Sequence, residues 1–173
     1  MRALIGGNRI AFLAFFASHI VFTLLYDLQA IGKPFYPQIL QDVVTTYADI
    51  VSDPHMSEPF ELWFQSIVFF EMIFQLPYFF VAVYMFADPQ RRSYPRWFQM
   101  VSIVYGSHTA TTLLPILPPI WFRSDEEAPT KLRLLVIMIY LPYLIFPAWI
   151  AAISACDSSG ECARQDTRKS KVQ

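Results

Sequence analysis

Long apolar runs separated by short polar stretches dominate the pattern of the chain. Four of these runs, at about residues 10–28, 62–86, 97–121 and 132–155, are long enough to cross a bilayer as helices. Between the first two, residues 37–51 carry apolar side chains at helical spacing, which predicts a short amphipathic helix on the membrane surface. The pattern therefore predicts an all-α membrane protein, a four-transmembrane-helix bundle with one short amphipathic segment.

Prolines at two places in this pattern predict local changes in the backbone. The fourth run contains Pro142 and Pro147, and because proline removes a backbone donor we expect these residues to interrupt its helix. The dipeptide Asp53-Pro54 precedes the second run. It predicts a turn in which the Asp53 side chain accepts hydrogen bonds from neighbouring backbone amides.

The composition supports the membrane class and limits the functions that the chain can have. Hydrophobic residues make up 55% of the 173 residues, which suffices for one helical bundle and leaves nothing for a separate soluble domain. We predict a membrane domain at residues 1–155 and a polar tail at residues 156–173. The net charge of −1 gives no case for a nucleic-acid partner. Both cysteines lie in the tail, so no disulfide framework is expected.

Basic residues predict the orientation of the spans. With the amino terminus in the cytosol, nine of the thirteen Lys and Arg residues lie on the cytosolic side, as the positive-inside rule requires. Both termini and the polar tail are then cytosolic, and the amphipathic segment is lumenal. Lys169 and Lys171 near the carboxyl end have the spacing of a dilysine retrieval signal of the endoplasmic reticulum. The first run is too long for a typical signal peptide, so we expect an uncleaved span.

Glu71 and Gln75 place two polar side chains inside the second apolar run. They are four residues apart and therefore share one helix face, and Pro77 frees a backbone carbonyl one turn back. An ionisable group at this depth costs about 3 kcal/mol unless it faces a cavity or the protein interior. One interpretation is a helix–helix hydrogen bond made by a protonated Glu71. The interpretation that we favour is the polar floor of a buried pocket.

Polar residues of the first run can converge on the same place. His19, Thr23 and Asp27 follow one another at single-turn spacing along an otherwise lipid-compatible helix. Two carboxyl groups in one dry cavity cannot easily both ionise, so Asp27 and Glu71 would hold a single proton between them. The remaining negative charge suits a basic amine, with aromatic side chains adding cation–π contacts. The alternative is that Asp27 simply faces water.

No feature of the sequence indicates a metal or a cofactor. Zinc needs three or four nitrogen, sulfur or oxygen ligands around one point, and no spacing in the chain suggests such a set. A glycine-rich phosphate loop and a nucleophile elbow are also missing from the sequence. His19 and His108 on their own are interpreted as hydrogen-bonded packing residues of the membrane interior.

Several unusual motifs make the chain resemble the sigma-2 receptor family. They extend from Ser18 to Pro147, nearly the whole membrane part, whereas the tails differ. In the first half they are Ser18-His19-Ile20, Thr23-Leu24, Asp27-Leu28-Gln29-Ala30, Tyr36-Pro37, Asp53-Pro54 and Glu58-Pro59. In the second half they are Trp63-Phe64, Glu71, Phe74-Gln75-Leu76-Pro77, Tyr105, Ser107-His108-Thr109, Thr111-Thr112-Leu113, Pro115-Ile116-Leu117, Tyr140 and Pro142-Tyr143-Leu144.

This resemblance implies an EXPERA domain, which the family shares with the emopamil-binding sterol isomerase. It implies a multi-pass protein of the endoplasmic reticulum that binds sterols and small cationic amphiphiles in a lipid-accessible pocket and acts in cholesterol homeostasis. It implies that Asp27 and Glu71 line this pocket. We predict as ligand-binding residues His19, Thr23, Asp27, Glu71, Gln75, Tyr105, Thr112, Tyr140 and Tyr143. Asp27 would pair with the ligand amine, and Asp53 would support the lumenal loop over the pocket. A sterol-transport protein and a second copy of the chain are candidate partners.

The isomerase comparison is informative where the chain departs from it. The resemblance implies that the enzyme needs a histidine and, one turn later, a glutamate, but here His19 is followed by Thr23. A threonine hydroxyl cannot shuttle a proton near neutral pH. The tryptophan of the isomerase corresponds to Tyr143. We therefore expect a binding protein rather than an enzyme. The alternatives are a sterol Δ8-Δ7 isomerase and, from a further branch of the family, a factor that delivers mitochondrial precursor proteins.

Overall fold

A computed structural model describes residues 7–91 and 93–170, with side chains for residues 8–91 and 93–156. Every regular element in these ranges is helical. Four helices are long and apolar enough to cross a membrane, which confirms the predicted fold class. The α-helices are α1 (Gly7–Phe22), α2 (Gln29–Gly32), α3 (Gln38–Val51), α4 (Leu62–Phe70), α5 (Leu76–Ala87), α6 (Arg96–Trp121) and α7 (Thr130–Ser170). The spans are Asn8–Phe35, Leu62–Ala87, Arg96–Trp121 and Thr130–Cys156.

The first span is longer than the sequence pattern predicts. Instead of ending near Leu28, it continues through α2 and a short 3₁₀ turn to Phe35. The polar side chain of Gln29 does not break the helix because it is bonded internally. Its amide nitrogen donates to the carbonyl of Leu25 at 2.7 Å and to that of Leu40 at 3.2 Å. The span ends only where Pro34 and Pro37 remove backbone donors.

Helix α3 confirms the predicted amphipathic segment. Val44, Ala48 and Val51 are buried and share the face that packs on the bundle. The helix ends at Ser52, which adopts a left-handed conformation with φ of 57°. The chain then turns back towards the second span.

The prediction that Pro142 and Pro147 interrupt the fourth helix is wrong. Helix α7 runs without a break from Thr130 to Ser170, and so continues well past its membrane span. Close packing against α6 holds it in place. A Cβ atom added to Gly106 of α6 would lie 2.2 Å from the carbonyl oxygen of Pro147. Gly106 therefore lets the two helices approach at the point where proline weakens α7.

Two groups of buried side chains form the core. The aromatic region lies towards the ends of the bundle where α1 begins and α5 finishes, and it includes Phe12, Phe15, Phe16, Phe79, Phe86 and Phe98. The aliphatic region lies towards α3, and it includes Val44, Val51, Val68, Leu113, Ile116 and Val136. Polar side chains from three of the spans meet between the two regions.

Candidate ligand-binding site

A partly open cavity of about 230 Å³ lies within the bundle at this meeting point. Most of its wall is apolar. Polar side chains in its wall include those of His19, Asp27, Asp53, Glu71, Gln75, Thr109 and Thr112. Apolar walls with a few convergent polar groups are typical of sites for small organic ligands.

Two π-helical turns position the acidic side chains. Thr23–Asp27 forms one in the first span and Glu71–Gln75 forms the other in the second span. In the first turn the amide of Leu28 donates to the carbonyl of Thr23 at 3.1 Å. A π turn holds an extra residue and is frequent at functional sites. Both turns therefore widen the helix at the cavity, where Asp27 and Glu71 lie.

Pro77 explains the second of these turns. Proline has no amide hydrogen, so the α-helical bond that would run from residue 77 to the carbonyl of Ile73 cannot form. The wider pattern of hydrogen bonds just before it, in which the amide of Leu76 donates to the carbonyl of Glu71, accommodates this gap. No comparable sequence signal precedes the turn at Thr23–Asp27.

The acidic side chains form one cluster with their neighbours on the first span. The Thr23 hydroxyl donates to Glu71 Oε1 at 2.7 Å and also interacts with the Asp27 side chain. His19 Nε2 lies 3.4 Å from the same Glu71 oxygen. Donor atoms of His19, Asp27 and Glu71 all fall within 4.8 Å of one another. The fold thus brings together residues that are up to 52 positions apart in the sequence.

Gln75 lies beside this cluster and is held by the third span. Thr109 Oγ1 is 3.0 Å from Gln75 Oε1 and 2.9 Å from the carbonyl oxygen of Tyr105. The glutamine side chain is almost fully buried and still borders the cavity. Its amide is therefore fixed in position as a polar contact in the wall.

Asp53 closes the end of the cavity that faces α3. As predicted, its carboxylate accepts a hydrogen bond from a neighbouring amide, that of His55, at 2.9 Å. The hydroxyl of Tyr140 donates to it at 3.2 Å and that of Tyr47 at 3.5 Å. Burial raises the pKa of Asp53, while the His55 backbone N–H and the His55 and Tyr140 side chains oppose the shift. His55 Nε2 in turn lies 2.8 Å from the carbonyl oxygen of Ile116 and fastens this turn to α6.

Comparison with known proteins decides the family of the chain. Residues 39–154 match the family model described as EXPERA (EXPanded EBP superfamily). The chain belongs to the EXPERA family. Sigma intracellular receptor 2 of Xenopus tropicalis is 42% identical over 143 residues, which cover 79% of this chain and 81% of that protein. The proteins of the same name from Macaca fascicularis and Homo sapiens are 38% and 37% identical over 143 residues, covering 77% of this chain and 78% of each relative.

Seven of the nine residues predicted to bind ligand line the cavity of this EXPERA protein. They are His19, Asp27, Glu71, Gln75, Thr112, Tyr140 and Tyr143. The structure places the other two elsewhere. Thr23 is completely buried behind Glu71. Tyr105 stacks on Tyr78 with 4.1 Å between ring centroids and belongs to the aromatic region.

The side chain of Asp53 forms part of the wall, and its supporting role over the pocket stays a prediction. Further wall residues of the EXPERA bundle escaped the sequence analysis, among them Tyr26, Tyr47 and Thr109. Tyr47 had a usable signal, since it shares the inner face of α3 with Val44 and Val51. Nothing in the sequence distinguished Thr109 as a wall residue from Thr111, which lies two positions further along the same run.

The predicted retrieval signal falls at the edge of what the structure describes. Lys171 lies outside the described residues, and for Lys169 only the helical backbone is described. The signal therefore stays a prediction. The family match also begins at residue 39, so it includes Asp53 and Glu71 but not His19 or Asp27.

Proposed function

We propose that this EXPERA protein is a receptor-like protein of the endoplasmic reticulum membrane that binds sterols and cationic amphiphiles and acts in sterol homeostasis. One observation carries the proposal. Asp27 and Glu71 meet at the polar end of an otherwise apolar cavity inside a membrane-spanning bundle. The similarity to Sigma intracellular receptor 2 supports a receptor-like role.

The hydrogen-bond pattern supports a single negative charge in the cluster. A hydroxyl group has only one hydrogen to donate. Thr23 interacts with both Asp27 and Glu71, so it can bridge them fully only when one of the two carboxyls is protonated. One proton held between the two carboxyls lets Thr23 bond both of them and leaves a single negative charge on the pair. Asp27 then provides the counter-charge for a ligand ammonium.

The rest of the wall suits the apolar body of such ligands. Tyr26 and Tyr143 also border the cavity, and tyrosine faces attract cations. Phe64, Ile67 and Leu113 supply apolar surface towards α3. A neutral sterol would use this surface and the fixed Gln75 amide without needing the charge.

Measuring ligand affinity in charge variants tests the proposal. Asp27→Asn removes the charge and keeps the shape, so we expect amine affinity to fall about tenfold or more, at about 1.4 kcal/mol per decade. Sterol affinity should change much less, because a sterol carries no charge. Asp42→Asn, at an exposed position on α3, is the matched control. An equal loss of amine and sterol binding in a folded Asp27→Asn protein would contradict charge pairing.

Sterol isomerisation is the second candidate because His19 and Glu71 are paired within the cavity at 3.4 Å. Against it, Thr23 holds Glu71 through a hydroxyl that cannot transfer a proton near neutral pH. We therefore expect purified protein to leave a Δ8-sterol unchanged. Turnover that disappears in Glu71→Gln would establish the enzyme instead.

We further propose that both termini face the cytosol, on the basis of the distribution of basic residues. Protease treatment of sealed microsomes should remove a carboxy-terminal tag. A tag protected until detergent is added would overturn this orientation. Replacing Lys169 and Lys171 by serine should release the protein to later compartments, and an unchanged reticular distribution would place retention in the spans.

A further inference from the structure

Three potential metal ligands that are remote in the sequence converge at the polar end of the cavity. His19 and Asp27 come from the first span and Glu71 comes from the second. One donor atom from each lies within 4.8 Å of the others. Glu71 is 44 positions from Asp27 in the sequence, so spacing along the chain does not indicate this set.

We propose that His19, Asp27 and Glu71 form a binding site for a divalent transition-metal ion of the zinc class. Zinc binds imidazole nitrogen and carboxylate oxygen at about 2.1 Å, and tetrahedral ligands at that distance lie about 3.4 Å apart. His19 Nε2 and Glu71 Oε1 are separated by 3.4 Å. Two of the three donors are therefore already at the spacing of a zinc site. The third donor, from Asp27, lies within 4.8 Å of the other two and must move closer to complete the set.

The environment of His19 is a second, independent indication. The side chain is only 4% exposed, yet Nδ1 has no hydrogen-bond partner among the described residues. Nε2 reaches Glu71 at a distance longer than an ordinary N–H···O hydrogen bond. A buried imidazole without an ordinary hydrogen bond at either nitrogen within the described part of the chain costs free energy, and a cation bound at Nε2 removes the part of that cost that belongs to Nε2. The same cation compensates the buried negative charge.

The chemistry of the donors selects among metals. One nitrogen and two carboxylates suit zinc or cobalt, whereas calcium takes six to eight oxygen ligands and magnesium six. Three protein ligands leave a fourth position, and this position opens into the cavity. A bound ligand or water molecule can occupy it.

This site uses the carboxyl groups that the proposed amine site also uses. A metal ion and a ligand ammonium would therefore exclude each other. Zinc should weaken amine binding competitively, and magnesium should not. The metal site does not depend on amine binding, because its donor set is complete without a ligand.

Metal titration of the full-length protein in detergent tests the inference. The protein carries Cys156→Ser and Cys162→Ser and no histidine tag, so neither thiolates nor a tag can bind the ion. Calorimetry with zinc chloride should show one site per chain. Cobalt chloride should give the visible absorption of a tetrahedral centre. Zinc affinity should fall at least about tenfold in His19→Gln, since even loss of an outer-shell partner has that effect.

His108→Gln is the matched control, because His108 is a second histidine of the membrane interior whose ring faces Phe70 and Phe74 outside the cluster. Zinc affinity should be unchanged in this variant. Asp27→Asn provides the same test as His19→Gln if the latter does not fold. Zinc binding that is equal in the parent, His19→Gln and Asp27→Asn proteins would overturn the site, as would no binding to the parent. Because no amine is present, either result leaves the proposed amine site untouched.

Discussion

The aromatic and the aliphatic regions of the bundle differ in how completely side chains fill them. In the aromatic region, large rings fill the interior, with Phe12, Phe16 and Phe86 in contact at centroid distances of 5.6 to 6.3 Å. In the aliphatic region, smaller side chains surround a cavity of about 230 Å³. A well-packed region provides rigidity, whereas an incompletely filled one provides room for a ligand. The comparison teaches that stability and binding are separated along the bundle, with the polar cluster at their border.

The largest effect that we predict breaks the contact between α6 and α7. In Gly106→Ala the new methyl group would lie 2.2 Å from the backbone oxygen of Pro147, so the helices must separate. We expect a loss of about 4 kcal/mol or more in the free energy of unfolding, or no folded protein. Thermal unfolding in detergent measures it. Gly32→Ala is the control, since its methyl group meets its nearest neighbours at 3.8 Å and should have little effect. Equal stability of the two variants would contradict the close approach.

A truncation in each half sharpens the comparison directly. Phe16→Ala removes a fully buried ring from the aromatic region and should cost about 4 kcal/mol. Leu113→Ala, at the wall of the cavity, should cost about 2 kcal/mol and should alter ligand affinity as well. Chemical unfolding and a ligand titration of both variants test this. The separation of stability from binding fails if Phe16→Ala, while folded, changes affinity as much as Leu113→Ala does.

The Asp53→Asn variant tests the contribution of the Asp53 hydrogen bonds at the end of the aliphatic region. Loss of a buried hydrogen-bonded acceptor should cost about 2 kcal/mol at acidic pH. Because burial raises the pKa of Asp53 above 3.8, the folded protein binds a proton more tightly than the unfolded chain. The stability that this group contributes is therefore full below about pH 3.8 and is lost as the pH rises through the folded pKa.

The deficit of Asp53→Asn relative to the parent should consequently shrink as the pH rises. Unfolding midpoints at a series of pH values measure it. Asp49→Asn, at an exposed position on the preceding helix α3, is the control and should follow the parent. A deficit that grows with pH would show that Asp53 is stabilised as a carboxylate.

The smallest effect concerns the border between the halves. Thr23→Val removes the hydroxyl that donates to Glu71 and should cost about 1 kcal/mol. Thr111→Val is the control because its exposed hydroxyl only bonds carbonyls of its own helix, those of Ser107 and His108. Unfolding midpoints should therefore separate the two variants. If both behave alike, the Thr23 bridge contributes nothing to stability.

The fold followed from the sequence because apolar runs of membrane length leave few alternatives to helices. The convergence of Asp27 on Glu71 also followed, since single-turn spacing placed the polar residues on defined faces. The continuous helix α7 could not be predicted from the sequence, because the close packing at Pro147 involves Gly106 on another helix. The position of Tyr105 depends on its stacking on Tyr78 of another helix, and Thr23 begins a π turn. Helical periodicity gives the face of a residue, but the π turns change that face locally.

The paired π turns have a consequence for changes in chain length. Each turn is equivalent to one residue inserted into an α-helix, and each residue of an α-helix rotates the chain by about 100°. The turns at Thr23–Asp27 and Glu71–Gln75 therefore shift the helical repeat of the first and second spans. Residues that face inward before each turn and after it do not follow one regular 3.6-residue spacing. Deleting Met72 would restore an α-helical phase without removing any carboxyl group. Both flanking segments would keep their orientation, because the π turn already absorbs the extra residue, but Glu71 would lose the widened turn that places it at the cavity.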